Sequence, residues 1–318
     1  MGETTKLLKY NEVWIAQRAD PYVYKHSDGT YYFTASVPAY DGIVLRRAKS
    51  LAELPDAEEV EIWHMHEEGA MSCHIWAPEL HYLDGCWYIY YAGGDKDDVW
   101  NIRPYVLECK DEDPVTGTWT ELGKMKRTDE DEFSFEAFSL DGTVFEAAGK
   151  RYYVWAEKVG VGRQISNLYI AEMERPDKLK TVQVLLTTPD YDWERVNFWV
   201  NEGPFVIKKN GKIFLTYSAS DTGPAYCVGM LTATEGDDLL DPLSWKKERY
   251  PVLQTDESKG IYGPGHNSFT KDEEGNDVMI YHARVTPEME GNPLYNPNRH
   301  AMVMKITWDE NGRPVFQY

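Results

Sequence analysis

Three carboxylates open three similar stretches of chain: Asp20 in DPYVYKHSDGTYYFTAS, Asp141 in DGTVFEAAGKRYYVWAE and Glu202 in EGPFVIKKNGKIFLTYSAS. Two further stretches of the same plan open on Trp76 and His266. Carboxyl groups gathered at one point can divide proton donation and acceptance, provided their surroundings push their pKa values apart. Taken singly, each acid has a structural reading. Asp20 precedes Pro21, a common turn pair; Asp141 precedes Gly142; Glu202 precedes Gly203-Pro204 and suits a surface loop. Their agreement in phase weighs against that reading, because a turn residue has no reason to recur as an acid at the same point of a repeat.

The elements that must position these residues follow from the repeat itself. Each stretch reads as a first strand, a Gly-containing turn and a second strand rich in aromatic or β-branched residues. The turns are Asp28-Gly29, Asp84-Gly85, Gly149, Asn210-Gly211 and Gly275, which is hairpin chemistry. The opening residues are spaced by 56, 65, 61 and 64 positions. A further strand follows each hairpin in phase, as in IVLRRAKS, YVLECKD, LYIAEMERP, VGMLTATEG and AMVMKITWD. Helical periodicity is weak throughout. Three or four strands per unit of roughly 60 residues, repeated radially, predict an all-β, five-bladed β-propeller as a single domain over residues 1–318. In such a fold the innermost strands line a central channel. The opening residues then converge on the axis, where an unpaired carboxylate is costly.

Composition bounds the partners. Net charge is −20, from 33 basic and 53 acidic residues, which disfavours nucleic acid and anionic membranes. The 43 aromatic residues (11 Trp, 22 Tyr, 10 Phe) suit β structure, and flat rings also cover sugar C–H faces. The N-terminal MGETTKLLKYNEVW lacks the apolar run of a signal peptide, and the four cysteines form no CxxC. Both features lead to the expectation of a cytoplasmic protein with reduced thiols. The acidic runs at 128–136 and 272–277 lack a calcium-loop pattern and read as solvated loops.

The motifs ADPY (19–22), IWAPE (75–79), FSLDGT (138–143), VNEGP (200–204) and YGPGHNS (262–268), in this order, resemble family 43 glycoside hydrolases. The resemblance covers nearly the whole chain and itself implies a five-bladed propeller. It implies inverting hydrolysis, with Asp20 as general base, Glu202 as general acid and Asp141 as modulator of the acid's pKa. Two longer stretches, HIWAPE with VWNIRPYVLE (99–108) and FWVNEGP with GPGHNSF, look most like the exo-acting α-1,5-L-arabinofuranosidase group. The implied substrate is a small oligosaccharide or an arabinan side chain. Asn101 departs from the histidine common there, which bears on leaving-group preference. A β-xylosidase, an endo-arabinanase or a non-catalytic sugar-binding propeller are the alternatives.

The resemblance extends to supporting residues. Trp76 and Ala77 would shape the sugar slot, Trp199 would pack beneath the acid, and Arg299 would aim at sugar hydroxyls, with Arg284 a second candidate. His266 has two readings. Similar enzymes hold a calcium-type ion on the axis through this histidine and waters, although a lone imidazole suits a hard cation poorly. Otherwise His266 bonds substrate or an active-site carboxylate. No cofactor is required for the chemistry. Loops at 37–42 and 287–298 would wall one end of the pocket.

Overall fold

A computed structural model describes residues 7–160 and 164–318. The chain is all-β, with short 3-10 turns as its helical elements among the described residues. None of these is long and apolar enough to cross a membrane. Antiparallel strands follow one another in chain order. Ala19–Lys25, Tyr31–Ser36, Gly42–Ala48 and Val60–His64 form one four-stranded sheet. Ala70–Leu83, Cys86–Asp95, Asp98–Cys109 and Trp119–Lys124 form the next. A nine-stranded sheet runs from Ser139–Ala147 to Lys246–Lys247, and its two halves meet in a short parallel pairing of Ile165–Ser166 with Trp199–Val200. Tyr262–Lys271, Asp277–Arg284 and His300–Lys305 form the last large sheet, where Val13–Ile15 joins as the outer strand, so both ends of the chain share one sheet.

The hairpins form where turn chemistry dictates. Asp84-Gly85, Ala148-Gly149 and Asn210-Gly211 each carry positive φ at both residues, between strand ends paired as Leu83–Cys86, Ala147–Lys150 and Lys209–Lys212. Two left-handed central residues match the right-handed twist of the flanking strands, which is why glycine closes each turn.

Apolar side chains fill the spaces between consecutive sheets. Tyr22, Ile43 and Leu45 pack against Leu80, Trp87 and Ile89. Tyr90 and Val106 meet Tyr153, Trp155 and Tyr169. Val154 and Leu168 meet Leu215 and Leu231, and Phe214 and Met230 meet Met279 and Met304. Phe33 and Tyr31 of the first sheet meet Val278, Ile280 and Val303 of the last. Each fully buried large side chain contributes about 1.5–3 kcal/mol by leaving water. The two acidic runs are less solvated than expected. Asp131 and Asp272 are buried, and accept backbone N–H groups of Ser134 and Asn276 that hold their own loops in shape.

Candidate active site

Every first strand of a repeat carries a bulge at the same place. Register shifts fall between Ala19 and Tyr22, Trp76 and Glu79, Leu140 and Thr143, Glu202 and Phe205, and Gly265 and Ser268. The residue just inside each bulge has positive φ: Asp20 53°, Ala77 47°, Asp141 55°, Gly203 53° and His266 44°. Left-handed non-glycine residues cost energy and recur at functional sites. This corrects the register read from sequence by one position. Asp20, Asp141 and His266 are equivalent, whereas Trp76 and Glu202 stand one residue before that point, in place of Ala19, Leu140 and Gly265.

The bulges turn backbone N–H groups away from their own sheets, and neighbours take them up. Asp20 N donates to Nδ1 of His282 (3.0 Å), Ala77 N to Oγ of Ser36 (2.8 Å), and His266 N to Oγ of Ser218 (2.7 Å). Gly203 N donates instead to Oδ2 of Asp141 (3.0 Å). Ser36, Ser218 and His282 occupy one register position on the second strands, opposite Ala19, Glu202 and Gly265. Ala92 and Ala156 fill that position elsewhere, where the crowded interior leaves room for little more.

Three carboxylates therefore meet around His266. Its Nδ1 lies 3.2 Å from Oδ1 of Asp20 and 3.9 Å from Oδ2 of Asp141. Asp20 also accepts from Oγ of Ser36 (2.5 Å) and faces Nη1 of Arg299 (3.4 Å). Burial opposes ionisation of Asp20, but His266 and Arg299 outweigh it and hold this carboxyl far below the usual range. The other two move the opposite way. Burial raises the pKa of Asp141, and the charges of Glu202 and Asp20 raise it further against the pull of His266 and the Gly203 N–H. Burial likewise raises Glu202, with Asp20 adding to it while the Tyr226 hydroxyl, His266 and Lys158 pull it down. His266 is raised despite burial, because Asp20, Asp141, Glu202 and Glu79 surround it. Burial drives His282 down to about 3, so it is neutral and free to accept the Asp20 N–H.

The supporting residues divide. Trp76 and Ala77 are buried beside the cluster; Trp76 stacks on His74 (4.5 Å between centroids) and meets the edge of Tyr40. Arg299 is buried between Asp20 and the Tyr40 hydroxyl (2.7 Å), so its charge serves the carboxylate. Arg284 spends its donors on Asn296, the Pro293 carbonyl and the Thr222 carbonyl, holding the 285–298 loop. Trp199 lies under the Arg195 guanidinium, 4.4 Å from its ring centre, at the start of the strand that carries Glu202. Nδ1 of His266 faces two carboxylates, and among the described residues no group of three or more His, Cys, Asp or Glu is placed to hold a metal. A cavity of about 570 Å³ lined by Lys124, Arg127 and Arg175 contains none of these carboxylates.

Comparison with known proteins gives the family. The family model for glycosyl hydrolases family 43 matches residues 10–314. This chain belongs to that family. An "Extracellular exo-alpha-(1->5)-L-arabinofuranosidase" of Streptomyces avermitilis is 47% identical over 301 residues, covering 94% of this chain and 61% of that protein. A protein of the same name from Streptomyces chartreusis is 48% identical, covering 89% of this chain and 85% of that one. A crystal structure of an alpha-L-arabinofuranosidase from Lactobacillus brevis superposes with a TM-score of 0.89 at 50% identity, covering 96% of this chain and 97% of that one. The family 43 chain thus spans less than two thirds of the S. avermitilis relative's length.

These names correct the cytoplasmic expectation: both Streptomyces relatives are named extracellular, which points to secretion. The thiols were a poor guide. All four cysteines are free, and burial raises the pKa of Cys73, Cys109 and Cys227, the last to about 12. Such thiols stay protonated and unreactive, so they report no compartment.

The three acids, His266 and Arg299 named from the sequence lie in this one cluster, which also holds Ser36, Tyr40, Ser218, Tyr226 and His282, not singled out there. The serines and His282 had a signal. FTAS, YSAS and YHAR place a polar residue at one point of the second strand in the first, fourth and fifth repeats. Tyr226 had none, since it precedes its strand in a loop.

Proposed function

We propose that the protein is an inverting, exo-acting α-L-arabinofuranosidase that removes terminal α-L-arabinofuranosyl residues from arabinan or arabino-oligosaccharides. One observation carries this reading: a single buried cluster brings together Asp20, held well below the usual carboxylate range by His266 and Arg299, and Asp141 and Glu202, both pushed up by burial. That is the division of labour inverting hydrolysis needs. Asp20 takes a proton from water as its oxygen bonds to the anomeric carbon. Glu202 gives its proton to the leaving oxygen as the glycosidic C–O bond breaks. Asp141 and Glu202 disfavour each other's ionisation, and Asp141 fixes the backbone beside the acid through the Gly203 N–H. Acid, base and water suffice, without a cofactor.

Exo action is supported by the wall beside Trp76. The Tyr40 hydroxyl donates to the Leu294 carbonyl, and Tyr295 bonds His74, which joins the 37–42 and 285–298 loops. A five-bladed propeller over residues 1–318 is supported by the five apolar interfaces between consecutive repeats, including that of the first with the last. A panel of 4-nitrophenyl α-L-arabinofuranoside, 4-nitrophenyl β-D-xyloside and linear arabino-oligosaccharides tests the reading. The arabinoside and the oligosaccharides are expected to turn over, with single arabinose units released. Glu202→Ala should lose oligosaccharide cleavage and retain part of its rate on the nitrophenyl arabinoside, whose leaving group needs no proton. Sugar binding without turnover of any substrate contradicts it.

A further inference from the structure

Glu202 keeps one directed hydrogen bond of its own: the Tyr226 hydroxyl donates to Oε1 at 2.8 Å. Tyr226 is itself fixed on every side. Burial raises its hydroxyl well above the ordinary range, the Ser218 side chain pulls the other way, and the Ser218 Oγ accepts the His266 N–H at 2.7 Å. The ring lies flat on His282, 5.5 Å between centroids and 6° from parallel. His282 in turn accepts the Asp20 N–H. The opposite edge of the ring presses on Gly265, where an added Cβ would come within 2.4 Å of it, so only glycine leaves the ring its place. Tyr226 is therefore bonded to one carboxylate-bearing strand and stacked on the residue that holds the other.

We propose that Tyr226 is a positioning residue of the reaction: its bond to Glu202 aims the acid's proton at the leaving oxygen, and the Tyr226–His282 stack fixes that aim relative to Asp20. The proposal rests on the reading of Glu202 as general acid. The groups facing Glu202 are Tyr226, His266 and Asp20, with Asp141 and Lys158 from the strands beside it. Of these the Tyr226 O–H is the one neutral donor bonded to Glu202, and it favours the ionised form.

The test compares Tyr226→Phe, Ser218→Ala and Glu202→Gln with the wild type on α-1,5-arabinobiose and on 4-nitrophenyl α-L-arabinofuranoside. Tyr226→Phe is expected to lower kcat on the biose about 10- to 100-fold, less than the roughly 10²- to 10⁴-fold that a proton-transfer group itself contributes. The nitrophenyl substrate should lose far less, and KM should hardly change. The alkaline limb of kcat/KM should move to higher pH, because the bond that favours ionised Glu202 is gone. Ser218→Ala should produce the same pattern more weakly, and stands in if Tyr226→Phe folds poorly. Equal losses on both substrates with an unmoved alkaline limb, while Glu202→Gln still fails selectively on the biose, overturns the positioning role and leaves the acid in place. If Glu202→Gln shows no selectivity for the biose, the acid assignment falls and the positioning role with it.

Discussion

Glu202, Asp20 and the histidine between them are held by opposed electrostatics, and this has a stability consequence at single residues. Glu202 keeps its proton to a higher pH in the folded chain than in the unfolded one. Between those two pKa values the folded form binds more protons, so stability falls as pH rises through that interval. Glu202→Gln removes the penalty. Its Tm is expected to exceed the wild type's at pH 8, with the gap closing below about pH 4, where both states hold the proton. Equal melting at pH 8 contradicts the raised pKa. Asp20 has the opposite sign: its depressed pKa stabilises the fold above the unfolded value, and that contribution is lost as pH falls. The types and phase of the acids were legible in the sequence. Their register was legible only to within one residue, because a bulge inserts a left-handed residue that strand alternation does not reveal. Tyr226 was not legible, since loop residues carry no periodicity and its partners are distant in the chain.

At the scale of elements, hairpins were the clearest feature to read. Asp-Gly and Asn-Gly specify their turn by local chemistry alone, and the turns lie where the dipeptides stand. Gly211 isolates that effect, with φ of 76° and no atom within 4 Å of the place a Cβ would take. Gly211→Ala should therefore cost about 1–2 kcal/mol from backbone conformation alone, read as a lower denaturation midpoint with unchanged slope. No loss of stability means the turn relaxes without strain. The closing of the chain was not legible, because Val13–Ile15 is too short to mark itself as a strand. Its pairing with Met302 and Ala301 is set by the apolar packing of Ile15 among Val278, Ile280 and Val303. The role of the second strands was half visible: small residues recur there because the interior is crowded, and polar ones appear where a neighbouring N–H needs a partner.

For the whole molecule, the repeat brings residues nearly 250 positions apart, Asp20 and His266, within 3.2 Å of each other. The strong negative charge, −20 over the whole sequence, says nothing about that geometry. The compartment was the expectation that composition misjudged, since buried thiols behave alike on either side of a membrane. The proposed mechanism uses the fold to keep Asp20 ionised on one strand and to raise Glu202 on another, so that water and sugar can react between them. Proton NMR of the first arabinose released from 4-nitrophenyl α-L-arabinofuranoside measures this most directly. Attack of water activated by Asp20, with no covalent intermediate, predicts that β-L-arabinofuranose forms first and only later mutarotates. First appearance of the α-anomer contradicts the account.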